Sequence, residues 1–203
     1  LNLDDWVPVT TIAVWEWGPF LGKEAAEYGV RMQVSSLTRH HANVMMTKSK
    51  VSGNYVNSTF AKTLAKRSGF DEAIMLDPQG YVAECSGENL FLVREGVIYT
   101  PPRTTILEGI TRDSVITLAR DLGYRVEEEP ISRDQLYIAE EVFVCGTAAE
   151  VVPVREIDFR VIGTGQRGPV ATTIRDEFHA TVRGNGERSP MWLDYVDETV
   201  FAV

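Results

Sequence analysis

Glu72–Thr100, EAIMLDPQGYVAECSGENLFLVREGVIYT, reads as four short strands closed by tight turns. Apolar and β-branched runs at Glu72–Asp77, Tyr81–Glu84, Asn89–Arg94 and Val97–Thr100 are cut by Pro78-Gln79-Gly80 and by Glu95-Gly96, residues suited to sharp reversals. A helix is predicted on each side. Upstream, Asn54–Ser68 sets Val56, Phe60, Leu64, Ala61 and Ala65 on one face, with Gly69 as its C-terminal stop. Downstream, Thr111–Leu122 turns Val115, Leu118, Ala119 and Leu122 inward and stops at Gly123.

Working outward, Thr10–Trp15 and Arg31–Ser36 read as strands flanking a short helix over Gly22–Tyr28, and Leu37–Thr47 is polar and irregular. Toward the C-terminus, strands are expected at Tyr124–Ile131, Glu141–Cys145, Val151–Val154 and Phe159–Ile162. Ser132-Arg133-Asp134-Gln135 carries a capping-box pattern. Pro169 opens a last helix to about Val182, with Gly184 beyond, and Met191-Trp192-Leu193 reads as an apolar anchor. Hairpins interleaved with helices define the class as α/β (mixed α+β), not an open parallel sheet.

Composition narrows the function. The 203 residues suit one sizeable domain, or one and a fragment, with a core that needs no staples. A net charge of −9 and the lack of any basic run argue against nucleic acid. Cys85 and Cys145 form no disulfide framework and have no partner at metal spacing, which points to a reducing cytoplasm. His40 and His41 are adjacent and diverge, and His179 is remote, so no zinc triad is expected. No apolar run reaches the roughly 18 residues of a membrane span. The first residues, LNLDDWVPVTT, do not resemble a signal peptide, and their abrupt start reads as a piece of a longer chain.

Four stretches carry chemistry. In Ser49-Lys50-Val51-Ser52-Gly53-Asn54-Tyr55 a lysine sits among small residues just before a helix, with Tyr55 five residues on. Most lysines are solvated surface groups, but one with open approach and a nearby hydroxyl can serve as a nucleophile toward a carbonyl. Lys48 lacks the small C-terminal neighbours. Glu84 and Glu88 flank Cys85-Ser86-Gly87 at a strand end, where a carboxylate can face the ring nitrogen of a pyridine-type cofactor. The bland reading is a pair of exposed hairpin acids, against which Glu84 ends an apolar strand; a glycosidase pair lacks any aromatic sugar platform. Gly109-Ile110-Thr111 opens an amphipathic helix whose amides suit one phosphate, or is simply a threonine cap; it is no Walker loop. Gly146-Thr147-Ala148-Ala149 leaves a strand with consecutive small residues, a turn able to hold a carboxylate or phosphate. Cys145 reads as core, as do Trp15, Trp17 and Phe20, although Gly18-Pro19 suggests a loop that can line a pocket.

SKVSGNY, AECSGENLF, LEGITRDSV and FVCGTAAEVVPV follow one another as in branched-chain amino acid aminotransferases, which the chain resembles from about Thr10 through Gly184. That resemblance implies the fold-type IV architecture, pyridoxal 5′-phosphate as cofactor, and transamination between leucine, isoleucine or valine and 2-oxoglutarate. Carried over by position, it makes Lys50 the Schiff-base lysine, Glu84 the partner of the pyridine nitrogen and Tyr55 the partner of the phenolic oxygen. It makes Ile110, Thr111 and Thr147 the phosphate site, and the Thr147 and Ala148 amides the seat of the substrate carboxylate. Trp17 and Phe20 become the apolar pocket, and Glu88 an acid behind the site. Cys85 and Glu108 stand where the family often has glycine and proline. The resemblance divides the chain into a remnant of a smaller domain over 1–16, an interdomain linker over 17–28 and the large cofactor-binding domain over 29–203. It implies amino acid and 2-oxo acid substrates, a homo-oligomer, and a second chain where the small domain is supplied separately. Alternatives are an R-selective amine or D-amino acid transaminase of the same fold, or an inactive truncated domain serving as a binding module.

Overall fold

The computed structural model describes residues 2, 4–22 and 24–196. Residues 1, 3, 23 and 197–203, parts of the expected small-domain remnant, linker and C-terminal tail, lie outside the described residues.

The first helix, α1 (Ala25–Tyr28), is followed by strand β1 (Val30–Val34). After a long loop, a 3-10 turn (Ser52–Tyr55) leads into α2 (Val56–Arg67). The hairpin region then gives β2 (Glu72–Leu76), β3 (Val82–Cys85), β4 (Asn89–Arg94) and β5 (Val97–Thr100). Helix α3 (Ile110–Asp121), β6 (Arg125–Glu128) and α4 (Arg133–Tyr137) precede β7 (Glu141–Gly146), β8 (Glu150–Ile157) and β9 (Arg160–Val161). Helices α5 (Pro169–Val182) and α6 (Ser189–Trp192) end the described chain.

The nine strands of the described residues join one sheet in the order β3-β2-β1-β8-β7-β4-β5-β6, with β9 added beside β8. β1 runs parallel to β2 and β8, and β5 parallel to β6; the other pairs are antiparallel. The sheet is therefore mixed, as the interleaved hairpins and helices require.

Its curvature follows from chain length. β3 and β4 are joined only by Ser86, Gly87 and Glu88, yet four strands lie between them in the sheet order. Five inter-strand spacings of a flat sheet measure about 24 Å, whereas the four steps from Cys85 to Asn89 reach at most about 14 Å. The sheet must curl until β3 returns to β4. At the seam the Cys85 N–H donates to the Glu88 carbonyl at 2.8 Å.

The alternation of the strands fills the curl on one face and meets helices on the other. Inside lie Val30, Met32, Ile74, Leu90, Leu92, Val142, Val144 and Val154, closed by Ile131 and Leu136. Outside, Phe91 and Phe143 stack at 5.0 Å between ring centroids, and with Ile98 they bury Val115, Ile116 and Ala119 of α3 and Ala171 and Ile174 of α5. A third cluster seats Ala61 and Ala65 of α2 on Ala73 and Met75, beside Phe70.

Trp15 and Trp17, read as core, are instead 66% and 63% exposed, and three expected elements also need correction. Thr10–Trp15 is no strand: it carries neither helix nor ladder, and Ile12 and Val14 are exposed, because no other described strand pairs with it. The five apolar residues of α2 do not share one buried face. Ala61 and Ala65 are buried with Ser58, whereas Val56, Phe60 and Leu64 are 55%, 60% and 46% exposed. The strand expected over Tyr124–Ile131 is confined to Arg125–Glu128, since Pro130 offers no N–H to a ladder.

Candidate active site

The seam where β3 meets β4 brings the sequence-selected acids inward. Glu84, near the end of β3, is buried, and three partners surround its carboxylate. The Arg39 guanidinium stands at 2.7 Å, itself buried. The Asn89 side-chain amide donates at 3.1 Å and the Leu107 backbone N–H at 3.0 Å. Asn89 also donates to the Leu107 carbonyl at 3.1 Å, which ties the seam to the loop before α3. Gly109 makes this fit: a Cβ there would collide with the Asn89 side-chain oxygen. Burial pushes the Glu84 carboxyl up to about 7, against the opposing pull of Arg39, then the Leu107 amide, then the Lys50 and Lys48 charges.

Lys50 stands in the loop between β1 and α2. Asn54 holds that loop, its buried amide donating to the Met46 carbonyl at 2.9 Å and the Ser49 carbonyl at 2.7 Å. The Lys50 ammonium donates to the Tyr55 hydroxyl at 3.0 Å and lies 5.1 Å from that ring's centroid. Lys48 is occupied: it donates to the Arg103 and Ile106 carbonyls and pairs with Glu108 at 3.2 Å. Of these two lysines, Lys50 is the one that opens on a cavity.

That cavity, about 680 Å³, is lined by Lys50 and Tyr55, by Trp17 and Phe20, and by Thr147 and Ala148 of the turn after β7. An adjoining cavity of about 850 Å³ shares Thr147 and is lined by Ile110 and Thr111 at the start of α3. Among the described residues no side chain caps the α3 N-terminus at Gly109, in contrast to α5, where Glu141 accepts from the Val170 and Ala171 amides. The first amides of α3 therefore remain available to an anion.

The structure thus gathers Lys50, Tyr55, Trp17, Phe20, Thr147 and Ala148 around one hollow and joins Ile110 and Thr111 to it through Thr147. Glu84 and Glu88 line neither cavity and lie buried behind them. Glu88 accepts from the Gly87 N–H at 3.2 Å, and burial, then the Glu72 carboxylate, push it up to about 8. Arg39, Asn89, Glu72 and Lys62 escaped the sequence reading. Asn89 stood within a quoted motif without a role, and Arg39 lay in a stretch read only as polar loop.

The two raised carboxyls set a pH dependence for the protein without bound ligand. Both Glu84 and Glu88 hold protons more tightly folded than unfolded, so their contribution is full below about pH 4.5 and is lost as pH rises through about 7 and 8. Glu84 alone accounts for on the order of 3 kcal/mol across that window. Urea midpoints should fall from pH 5 to pH 8.5, with a shallower fall in Glu84→Gln; midpoints that rise with pH would contradict the burial of both acids.

Fold and cavity together describe an α/β domain that can seat a small anionic ligand beside a lysine. The sequence pattern of the family "Amino-transferase class IV" matches residues 8–157. A branched-chain-amino-acid aminotransferase of Pseudomonas aeruginosa is 50% identical over 185 residues, 91% of this chain and 60% of that protein. Among solved structures, the T.th. branched-chain amino acid aminotransferase with pyridoxamine 5′-phosphate has a TM-score of 0.86 at 56% identity, covering 90% of this chain and 60% of that one. The Escherichia coli branched-chain amino acid aminotransferase has a TM-score of 0.88 at 46% identity, with the same coverage of both chains. The chain belongs to the class IV aminotransferase family and spans about 60% of the length of these relatives.

Proposed function

We propose that this chain is the cofactor-binding part of a pyridoxal 5′-phosphate-dependent transaminase that exchanges amino groups between leucine, isoleucine or valine and 2-oxoglutarate. The observation that carries the reading is Lys50, held toward Tyr55 at 3.0 Å and open to a hollow that Thr147, Ala148, Trp17 and Phe20 also line. The relatives named for this activity, and the one solved with pyridoxamine 5′-phosphate, support it.

The residues fit the cofactor. When bound, pyridoxal 5′-phosphate supplies an aldehyde that takes up amines and a ring that withdraws electrons from the substrate's Cα. The open amides of Ile110 and Thr111, with the Thr147 hydroxyl, receive the phosphate. Glu84 would pair with the ring nitrogen, and Arg39, then the Leu107 amide, oppose the burial that raises its carboxyl. Tyr55 would donate to the phenolic oxygen. Lys50 would hold the cofactor through its amino group and, as general base and acid, would take the proton from the substrate's Cα and give it back. The Thr147 and Ala148 amides seat the substrate carboxylate, Trp17 and Phe20 form the apolar wall, and Glu88 braces the seam from behind.

On this reading 29–203 is the large domain, 17–28 a linker and 1–16 the end of a smaller domain, in a cytoplasmic homo-oligomer or beside a second chain that completes the site. Among the described residues no helix is long and apolar enough to cross a membrane.

A half-reaction screen tests the assignment. The cofactor-loaded protein should lose its visible absorbance on titration with leucine, and not with D-alanine or R-1-phenylethylamine. Bleaching by D-alanine or the amine alone would move the activity to those substrates. A protein that takes up no cofactor would be a binding module.

A further inference from the structure

Lys62 lies in the middle of α2, outside the motifs that mark the site, and lines the same cavity as Lys50. Its ammonium stands 2.7 Å from a carboxylate oxygen of Glu72, which has no exposed surface, and 4.1 Å from the centroid of the Phe20 ring. Phe20 in turn meets Trp17 edge-on at 5.8 Å. The stretch from Gly18 to Phe20 belongs to no helix or strand, so no ladder fixes these two rings.

A buried ion pair is weak evidence for stability, because desolvating both charges offsets most of their attraction. What the pair provides here is a fixed point. Glu72 accepts from the Ala73 N–H at 2.7 Å and is fully buried at the start of β2, so it offers the ammonium an anchor on the sheet. A cation held away from bulk water attracts an aromatic face more strongly than a solvated one. Behind it, burial and then the Glu72 carboxylate push the Glu88 carboxyl up, and the nearby Lys62 charge pulls against that rise.

Resting on the transaminase reading, we propose that Lys62 is a positioning residue for side-chain specificity: anchored on Glu72, it holds Phe20, and through it Trp17, as the apolar wall of the cavity that opens on Lys50. Losing the cation frees the wall, which weakens recognition of long branched side chains and leaves short ones and the chemistry unaffected.

The test uses the cofactor-loaded protein as wild type, Lys62→Met, Lys62→Arg and the double variant Lys62→Met/Glu72→Gln, in which no carboxylate is left unpaired. Lys62→Met should raise the KM for leucine and the Kd for 4-methylvaleric acid, an unreactive branched acid, by about tenfold. The kcat, cofactor uptake and the KM for alanine should stay within about twofold. Arginine should restore the wild-type values, and the double variant should match Lys62→Met. An unchanged Kd for 4-methylvaleric acid, or recovery in the double variant, would overturn the proposal, the latter by tracing the effect to a stranded Glu72.

A wild type that neither takes up cofactor nor bleaches with leucine would sink the transaminase reading and not this geometry. Cofactor-free protein with Trp17 as its single tryptophan then decides: Lys62→Met should increase quenching of Trp17 by acrylamide, and unchanged quenching would end the positioning role.

Discussion

Lys50→Ala is expected to reduce the leucine half-reaction by roughly four orders of magnitude or more, because one side chain supplies both the covalent attachment and the proton transfer at Cα. Single-turnover bleaching of the cofactor-loaded protein measures it. The fold should survive, since among the described residues the Lys50 ammonium donates only to the Tyr55 hydroxyl and the loop is held by Asn54. Lys48→Ala is the control. It costs contacts to the Arg103 and Ile106 carbonyls and to Glu108, so it should lower stability and leave the rate within a few-fold. A Lys50→Ala protein that turns over leucine normally would remove the nucleophile from the account.

Glu84→Gln should act on two quantities at once. An amide cannot carry the charge that keeps a proton on the ring nitrogen, so kcat should fall roughly 10²- to 10³-fold. It also leaves the buried Arg39 guanidinium facing a neutral amide, a cost felt above about pH 7, where the wild-type Glu84 is ionised. The double variant Arg39→Gln/Glu84→Gln separates the effects. Two neutral amides in the space of the pair should recover much of the stability without recovering the rate. Stability and rate recovering together would mean that Glu84 serves only the seam.

Legibility tracked the range of the interactions that decide each element. α5 runs over Pro169–Val182 as read, because proline at its first turn and Gly184 beyond its end are local signals. β4 and β5 coincide with the predicted runs, since the turn at Glu95-Gly96 fixes their pairing. The exposed α2 stripe was hidden by geometry. Phe60 and Ala61 are about 100° apart on the helix, and only the tertiary partner decides which flank is covered. Met75 and Phe70 fill that surface beside the small Ser58, Ala61 and Ala65, and the larger residues stay outside.

The site divides in the same way. The small residues around Lys50 and the strand-end turns at Gly87 and Gly146 are visible in the chain, because close approach needs them locally. Arg39 and Lys62 are not, since each gains meaning only from a partner that folding brings to it, Glu84 for one and Glu72 with Phe20 for the other. The curl of the sheet is equally invisible until the strand order is known, and it is what carries Glu84 and Glu88 to the rear of the Lys50 cavity.

Incubation with pyridoxal 5′-phosphate, reduction with borohydride and peptide mapping by mass test the central claim most directly. The account predicts a single adduct on Lys50. An adduct on Lys48 or Lys62 instead, or none on any lysine of the cavity, would contradict it.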